Sequence, residues 1–116
     1  MPRESIDDDR VRLTHMLESA QRAVRIADGL DDAALAADEV RLLAIVKSIE
    51  IIGEASTRVS ETTRTRCPEI DWIAIRGMRN RLIHGYDAID ERIVCATLRN
   101  RLPGLIANLT AALARV

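Results

Sequence analysis

The sequence contains no phenylalanine, one tryptophan (Trp72) and one tyrosine (Tyr86), so any core it builds must be aliphatic. The same scarcity argues against proteins that hold single strands by stacking bases on aromatic platforms. It has two cysteines, Cys67 and Cys95, which form neither a metal-ligand spacing nor a disulfide framework. It lacks charge of one sign: 17 Lys and Arg face 18 Asp and Glu, a net charge of −1. The whole molecule is therefore no polyanion magnet, and nucleic-acid binding requires a local basic patch. No apolar run approaches the roughly 20 residues of a membrane span. The polar, acidic start (Met1 to Asp9) does not read as a signal peptide. The expected setting is a reducing cytoplasm, with no membrane partner.

What remains is 116 residues, 47% hydrophobic and 30% charged, a composition that predicts one globular domain over residues 1–116. Every long segment has a helical period and none alternates as a strand, which predicts an all-α antiparallel bundle of four main helices. The first helix begins near Ser5, with Asp7, Asp8 and Asp9 complementing its positive end and Gly29 as its cap. Its apolar stripe is Leu13, Leu17, Ala20, Val24 and Ala27. Residues 29–37 read as a connection with room for a helical turn. The second helix is expected from about Asp38 to about Thr62, with a seam of Leu42, Ile45, Val46, Ile49, Ile52 and Val59. Val40, Leu43 and Ile51 widen that seam, which points to a second neighbour: another helix of the bundle or a second subunit.

Cys67-Pro68 interrupts the pattern. Asp71 then reads as the N-cap of a third helix, Trp72 to about His84, with Gly85 as its cap and Tyr86 just beyond. A fourth helix starts at Asp90. Its stripe of Val94, Leu98, Leu102, Leu105, Leu109 and Leu113 keeps phase across Pro103-Gly104, so one helix kinked at Pro103 is expected rather than two.

The segment Ile75 to Tyr86 concentrates three arginines, an asparagine, a histidine and the only tyrosine. From Arg58 to Arg81, six arginines against Glu61, Glu69 and Asp71 leave a surplus of three positive charges. That is the patch the composition demands. A helical wheel aligns Ile73, Gly77, Asn80 and His84, flanked by Arg76 and Arg81, while Arg79 lies about 140° around from His84. Gly77 costs roughly 1 kcal/mol inside a helix, which implies close approach there, either by bundle packing or by a substrate or partner. His84 has the one side chain here whose ordinary pKa, about 6.5, allows proton transfer near neutrality. Guanidiniums beside it could bind a phosphate and stabilise charge developing on it. Cleaving RNA without a metal needs a base, an acid and such cations, and a two-fold dimer supplies two copies of His84. A lone histidine at a helix end is also commonly structural. Glu50 and Glu54 lack the paired Glu-x-x-His of a di-metal bundle and read as a solvated face; His15 reads as structural or surface.

Arg79-Asn80-x-x-x-His84-x-Tyr86 resembles the R-x(4)-H-x-Y motif of HepT-like toxins in the HEPN superfamily. Ile49-Glu50-Ile51-Ile52-Gly53-Glu54-Ala55 is similar to the family's second helix. Pro68-x-Ile70-x-Trp72-x-x-Ile75-x-x-Met78 is similar to the approach to its motif, and Ile93-Val94 with Leu102-Pro103 to its last helix. The likeness covers most of residues 38–110. It implies a small α-helical homodimer acting as a metal-independent endoribonuclease with no cofactor of its own. Arg79 and His84 would form the catalytic pair, with Asn80 in support and Arg76 and Arg81 as auxiliary phosphate contacts. The implied genetic setting is a toxin–antitoxin pair. Its antitoxin is a MNT-type nucleotidyltransferase, which uses ATP to add AMP to the motif tyrosine, here Tyr86. The competing reading is a non-catalytic helical module that docks such a nucleotidyltransferase.

Overall fold

A computed structural model of the chain describes residues 3–82 and 89–116, without the side chains of residues 3–7 and of Arg79. Every element among them is helical: α1 (Arg3–Ile26), α2 (Asp32–Ala36), α3 (Glu39–Thr57), α4 (Glu61–Arg66), α5 (Trp72–Leu82), α6 (Glu91–Asn100) and α7 (Leu102–Arg115). The all-α bundle expected from the periodicity is present. Helix α1 packs chiefly on α3 and α7, and α3 also supports α5. Two ties show that α1 and α3 run antiparallel. The Arg41 guanidinium, early in α3, donates to the Ile26 carbonyl at the end of α1 (2.9 Å). Ser60, just past α3, donates its N–H to Asp9 near the start of α1 (2.9 Å). At that same end of α1, Arg10 donates to the Leu113 carbonyl, so α7 is antiparallel to α1 as well.

The core is aliphatic, as the missing aromatics require. Ile45, Ile49 and Ile52 of α3 meet Leu13 and Met16 of α1, and Leu82, Val94, Leu102 and Leu109 join the same cluster with no exposure. The buried stripe of α1 is rotated slightly from the expected one: Met16 and Ala23 are buried, while Leu17 is half-buried and Val24 lies at the rim. Ala20, Ala23 and Ala27 carry little side chain, so turning them inward lets a neighbouring helix come close. Free Cys67 and Cys95 are both buried, and burial, with Asp32 nearby, pushes the Cys95 thiol up. Neither is a poised nucleophile.

Two expected helix boundaries are corrected. The second helix does not reach Thr62; α3 ends at Thr57 and α4 begins anew at Glu61. Arg58 still has helical angles, but Ser60 is extended (φ −66°, ψ 155°) and caps α4 through its hydroxyl. Val59 turns inward and is buried. It keeps its place in the apolar pattern without keeping the helix. The last helix is likewise two: α6 ends at Asn100, and α7 starts at Leu102 with Pro103 in its first turn. Apolar phase survives because Arg101 still donates to the Thr97 carbonyl (3.0 Å). Pro103 falls where a helix needs no N–H donor, so it opens a helix instead of bending one. The connection at 29–37 contains a short helix, α2, capped by Asp31, and Gly29 takes the positive φ (77°) expected after α1.

Asp9 does something its position in the sequence does not announce. It is 2% exposed and accepts from the Ser60 N–H (2.9 Å), the Ser60 hydroxyl (2.6 Å) and the Thr63 hydroxyl (2.5 Å). The acidic run was expected to complement the start of α1; this member instead ties α1 to the entry of α4.

Candidate functional site

Helix α5 carries the arginine-rich segment, and both its ends are fixed. At its start the Ala74 N–H donates to Asp71 Oδ1 (3.0 Å), which makes Asp71 the expected cap. The Trp72 indole donates to the Cys67 carbonyl (3.2 Å). Beyond its end, the Asp90 N–H donates to the Leu82 carbonyl (3.1 Å), and the Asp90 carboxylate caps α6 by accepting from Arg92 N and Ile93 N. The six residues 83–88, which include His84, Gly85 and Tyr86, lie outside the described residues and are bracketed by this Leu82–Asp90 bond. The Arg79 side chain also lies outside them, though its backbone belongs to α5.

The faces of α5 sort as the wheel requires. Ile75, Met78 and Leu82 are buried and Trp72 half-buried. Ile73 is 86% exposed, Gly77 half-buried, and Arg76, Asn80 and Arg81 exposed. Helical phase therefore turns the stripe Ile73–Gly77–Asn80 away from the core. A Cβ on Gly77 would meet nothing within 4 Å among the described residues. Packing among the described residues does not account for this glycine. Gly77→Ala should stabilise the isolated chain by about 0.5–1 kcal/mol through helix propensity, read as a higher Tm. Loss of RNA cleavage in that stabilised variant would mark this face as a point of close approach.

The two auxiliary arginines do not meet. Arg76 opens into a cleft of about 560 Å³ between α4 and α5, with Arg64, Glu61 and Trp72. Arg81 opens into a cleft of about 640 Å³ between α5 and α6, with Asp90, Arg92 and Arg101. Arg92 and Arg101 lie outside the Arg58–Arg81 window, and only the fold sets them opposite Arg81. Their sequence signal was their arginine identity alone. Of the weaker candidates, His15 is exposed beside Arg10, Thr14 and Glu18. Glu50 is half-buried and Glu54 exposed. Among the described residues no group of three or more His, Cys, Asp or Glu could hold a metal ion, and no helix is long and apolar enough to cross a membrane.

The described residues form an aliphatic helical bundle that turns an arginine-rich helix face outward. Comparison with known proteins specifies the class. The model of the HepT-like ribonuclease family matches residues 16–112, and the chain belongs to this family. It is 32% identical over 96 residues to a protein of Caldanaerobacter subterraneus subsp. tengcongensis named as a candidate RNase, covering 83% of this chain and 86% of the relative. It is 30% identical over 98 residues to the Probable ribonuclease HepT of Thermococcus cleftensis, covering 84% of each chain. A candidate RNase of Methanocaldococcus jannaschii is 29% identical over 96 residues, covering 83% of this chain and 88% of the relative. No solved structure gives a significant match. The protein is accordingly an endoribonuclease, a HepT-like toxin of the HEPN superfamily.

Proposed function

We propose that the chain cleaves RNA without a metal ion by moving protons through His84. The ribose 2′-hydroxyl attacks the adjacent phosphorus as a base removes its proton. The new O2′–P bond replaces the P–O5′ bond, and an acid returns a proton to the leaving 5′-oxygen. The products are a 2′,3′-cyclic phosphate and a free 5′-hydroxyl. One imidazole supplies one of these roles at a time, so the two copies of His84 in a homodimer would serve as base and acid. Arg79 would stabilise the charge gathering on the phosphorane oxygens, where a fixed guanidinium is most effective. Asn80 supports it. Arg76 and Arg81, opening into separate clefts, would hold different phosphates of the strand rather than the scissile one together.

The observation that supports this reading most is the outward stripe Ile73–Gly77–Asn80, set beside a family match that spans the motif. The direct experiment is cleavage of unmodified RNA by pure protein in EDTA, compared with His84→Ala. Equal cleavage by the two would remove His84 from the chemistry.

The regulatory half of the reading places a MNT-type nucleotidyltransferase antitoxin against the same region. It would transfer AMP from ATP to the Tyr86 hydroxyl with release of pyrophosphate. An added phosphate would crowd an anion site with negative charge and exclude the substrate backbone. Intact mass after incubation with the partner and ATP should rise by whole AMP units in the native chain and stay unchanged in Tyr86→Phe. The non-catalytic alternative predicts a chain that is harmless without its partner yet still binds it.

A further inference from the structure

We propose that the cleft between α5 and α6 is a docking track for the RNA backbone flanking the cut, distinct from the Arg79–His84 motif. The proposal rests on the ribonuclease reading for the identity of its ligand. Among the described residues three arginines line the cleft, Arg81 from α5, Arg92 from the first turn of α6 and Arg101 at the α6–α7 junction, against one acid, Asp90. Their formal sum is three minus one, or +2, in a chain whose net charge is −1.

The arginines are available. Arg81 and Arg101 make no ion pair among the described residues. Arg92 stands 4.0 Å from Asp90 with its side chain 95% exposed. The Asp90 carboxylate is meanwhile occupied in capping α6. Elsewhere on the same helix Arg99 is engaged, with Asp32 and with the Leu30 carbonyl. The contrast on one short helix separates an arginine used in folding from arginines left for a ligand.

The shape favours a strand. Arg92 and Arg101 are nine residues apart, about 13 Å along a helix, longer than one phosphate group needs. Among the described residues no aromatic ring lines the cleft, so those residues offer bases no stacking platform and their contacts go to phosphates. Asn100 on the same wall offers an amide donor for a phosphate or ribose oxygen. Arg81 precedes His84 by three residues in the sequence and Asp90 follows Tyr86 by four, so the lining of the cleft adjoins the motif along the chain. Such a track raises affinity for long RNA with little preference for sequence.

The test uses fluorescence anisotropy of a single-stranded, fully 2′-O-methylated RNA, which cannot be cut, with the full chain. Arg92→Gln/Arg101→Gln should weaken binding about tenfold at low salt and lower the slope of log affinity against log salt by about 1.4, the signature of two lost phosphate contacts. Both residues are exposed, so Tm should not move. A control, Arg22→Gln/Arg25→Gln, removes two exposed arginines from α1 and should leave binding close to native. Equal weakening by both double variants would reduce the effect to net charge and overturn the proposal. So would unchanged RNA affinity, including the case where the cleft variant instead loses the nucleotidyltransferase. Failure of the native chain to bind the strand would overturn it too. Since the probe is uncleavable, the result does not depend on catalysis. Absence of cleavage of unmodified RNA would sink the enzymatic reading while arginine-dependent binding still upheld the track.

Discussion

His84→Ala is expected to lower the rate of RNA cleavage by about 10²- to 10⁴-fold, the usual contribution of a positioned acid or base. The loss should fall on kcat, because an imidazole that moves a proton acts in the transition state rather than in ground-state binding. Binding of uncleavable RNA by the variant should stay within a few-fold of native. If two imidazoles share the work across a dimer, the native pH–rate profile is bell-shaped, one ring needing its proton and the other lacking it. Mixing native chains with an excess of His84→Ala chains then provides a further check. Activity that falls with the square of the native fraction would show that both imidazoles are needed in one site, and a fall in simple proportion would show that one imidazole suffices. A His84→Ala protein that cleaves like the native chain in EDTA would return the motif to a structural role.

The second large effect is on folding. Asp9→Ala should cost about 3 kcal/mol, since it removes three hydrogen bonds to a carboxylate and leaves the Ser60 N–H and two hydroxyls without their acceptor. For a chain of this length that corresponds to a Tm lower by on the order of 12 °C. Burial alone would raise the Asp9 pKa. The bonds from Ser60 and Thr63, with the Arg12 charge, outweigh it and hold the carboxyl below its ordinary value. The sign follows. A carboxyl whose pKa is depressed by folding adds stability that is fully present above the unfolded value, roughly 3.9, and is lost as pH falls through the folded one. Denaturant titrations between pH 7 and pH 2 should therefore show a drop in stability at the acid end that is smaller in Asp9→Asn, where Glu69, also held low, still contributes. Asp9→Asn, which keeps one acceptor and can donate to the hydroxyls, should cost less than the alanine variant at pH 7. Equal stability of the native and alanine proteins at pH 7 would deny the tie between α1 and α4 any energetic role.

These two residues were not equally visible in the sequence. His84 stands out because its chemistry is local: few other side chains titrate near neutrality, and its spacing from Arg79, Asn80 and Tyr86 can be read along one segment. Asp9 does not stand out. It is one of three consecutive aspartates, and nothing in a linear pattern distinguishes the one that meets Ser60, 51 residues away. The boundary at Thr57 was hidden for a related reason. Val59 satisfies the apolar period whether or not the backbone stays helical, because burial records where a side chain points and not which hydrogen bonds the backbone makes. Pro103 misleads in the opposite direction: unbroken phase favours one helix kinked at Pro103, whereas a single residue at Arg101 separates two.

By itself the sequence determined the all-helical class, the aliphatic core, the cap at Asp71, the helix start at Asp90 and the motif of the family, all properties of residues within a few turns of one another. Tertiary structure alone decided that Arg92 and Arg101 face Arg81, that Arg76 and Arg81 open into different clefts, and that Asp9 reaches α4. Local periodicity fixes the face a side chain takes on its own helix. Which distant helix that face meets depends on the docking of the whole bundle, whose energy is spread over many small contacts and marked at no single position.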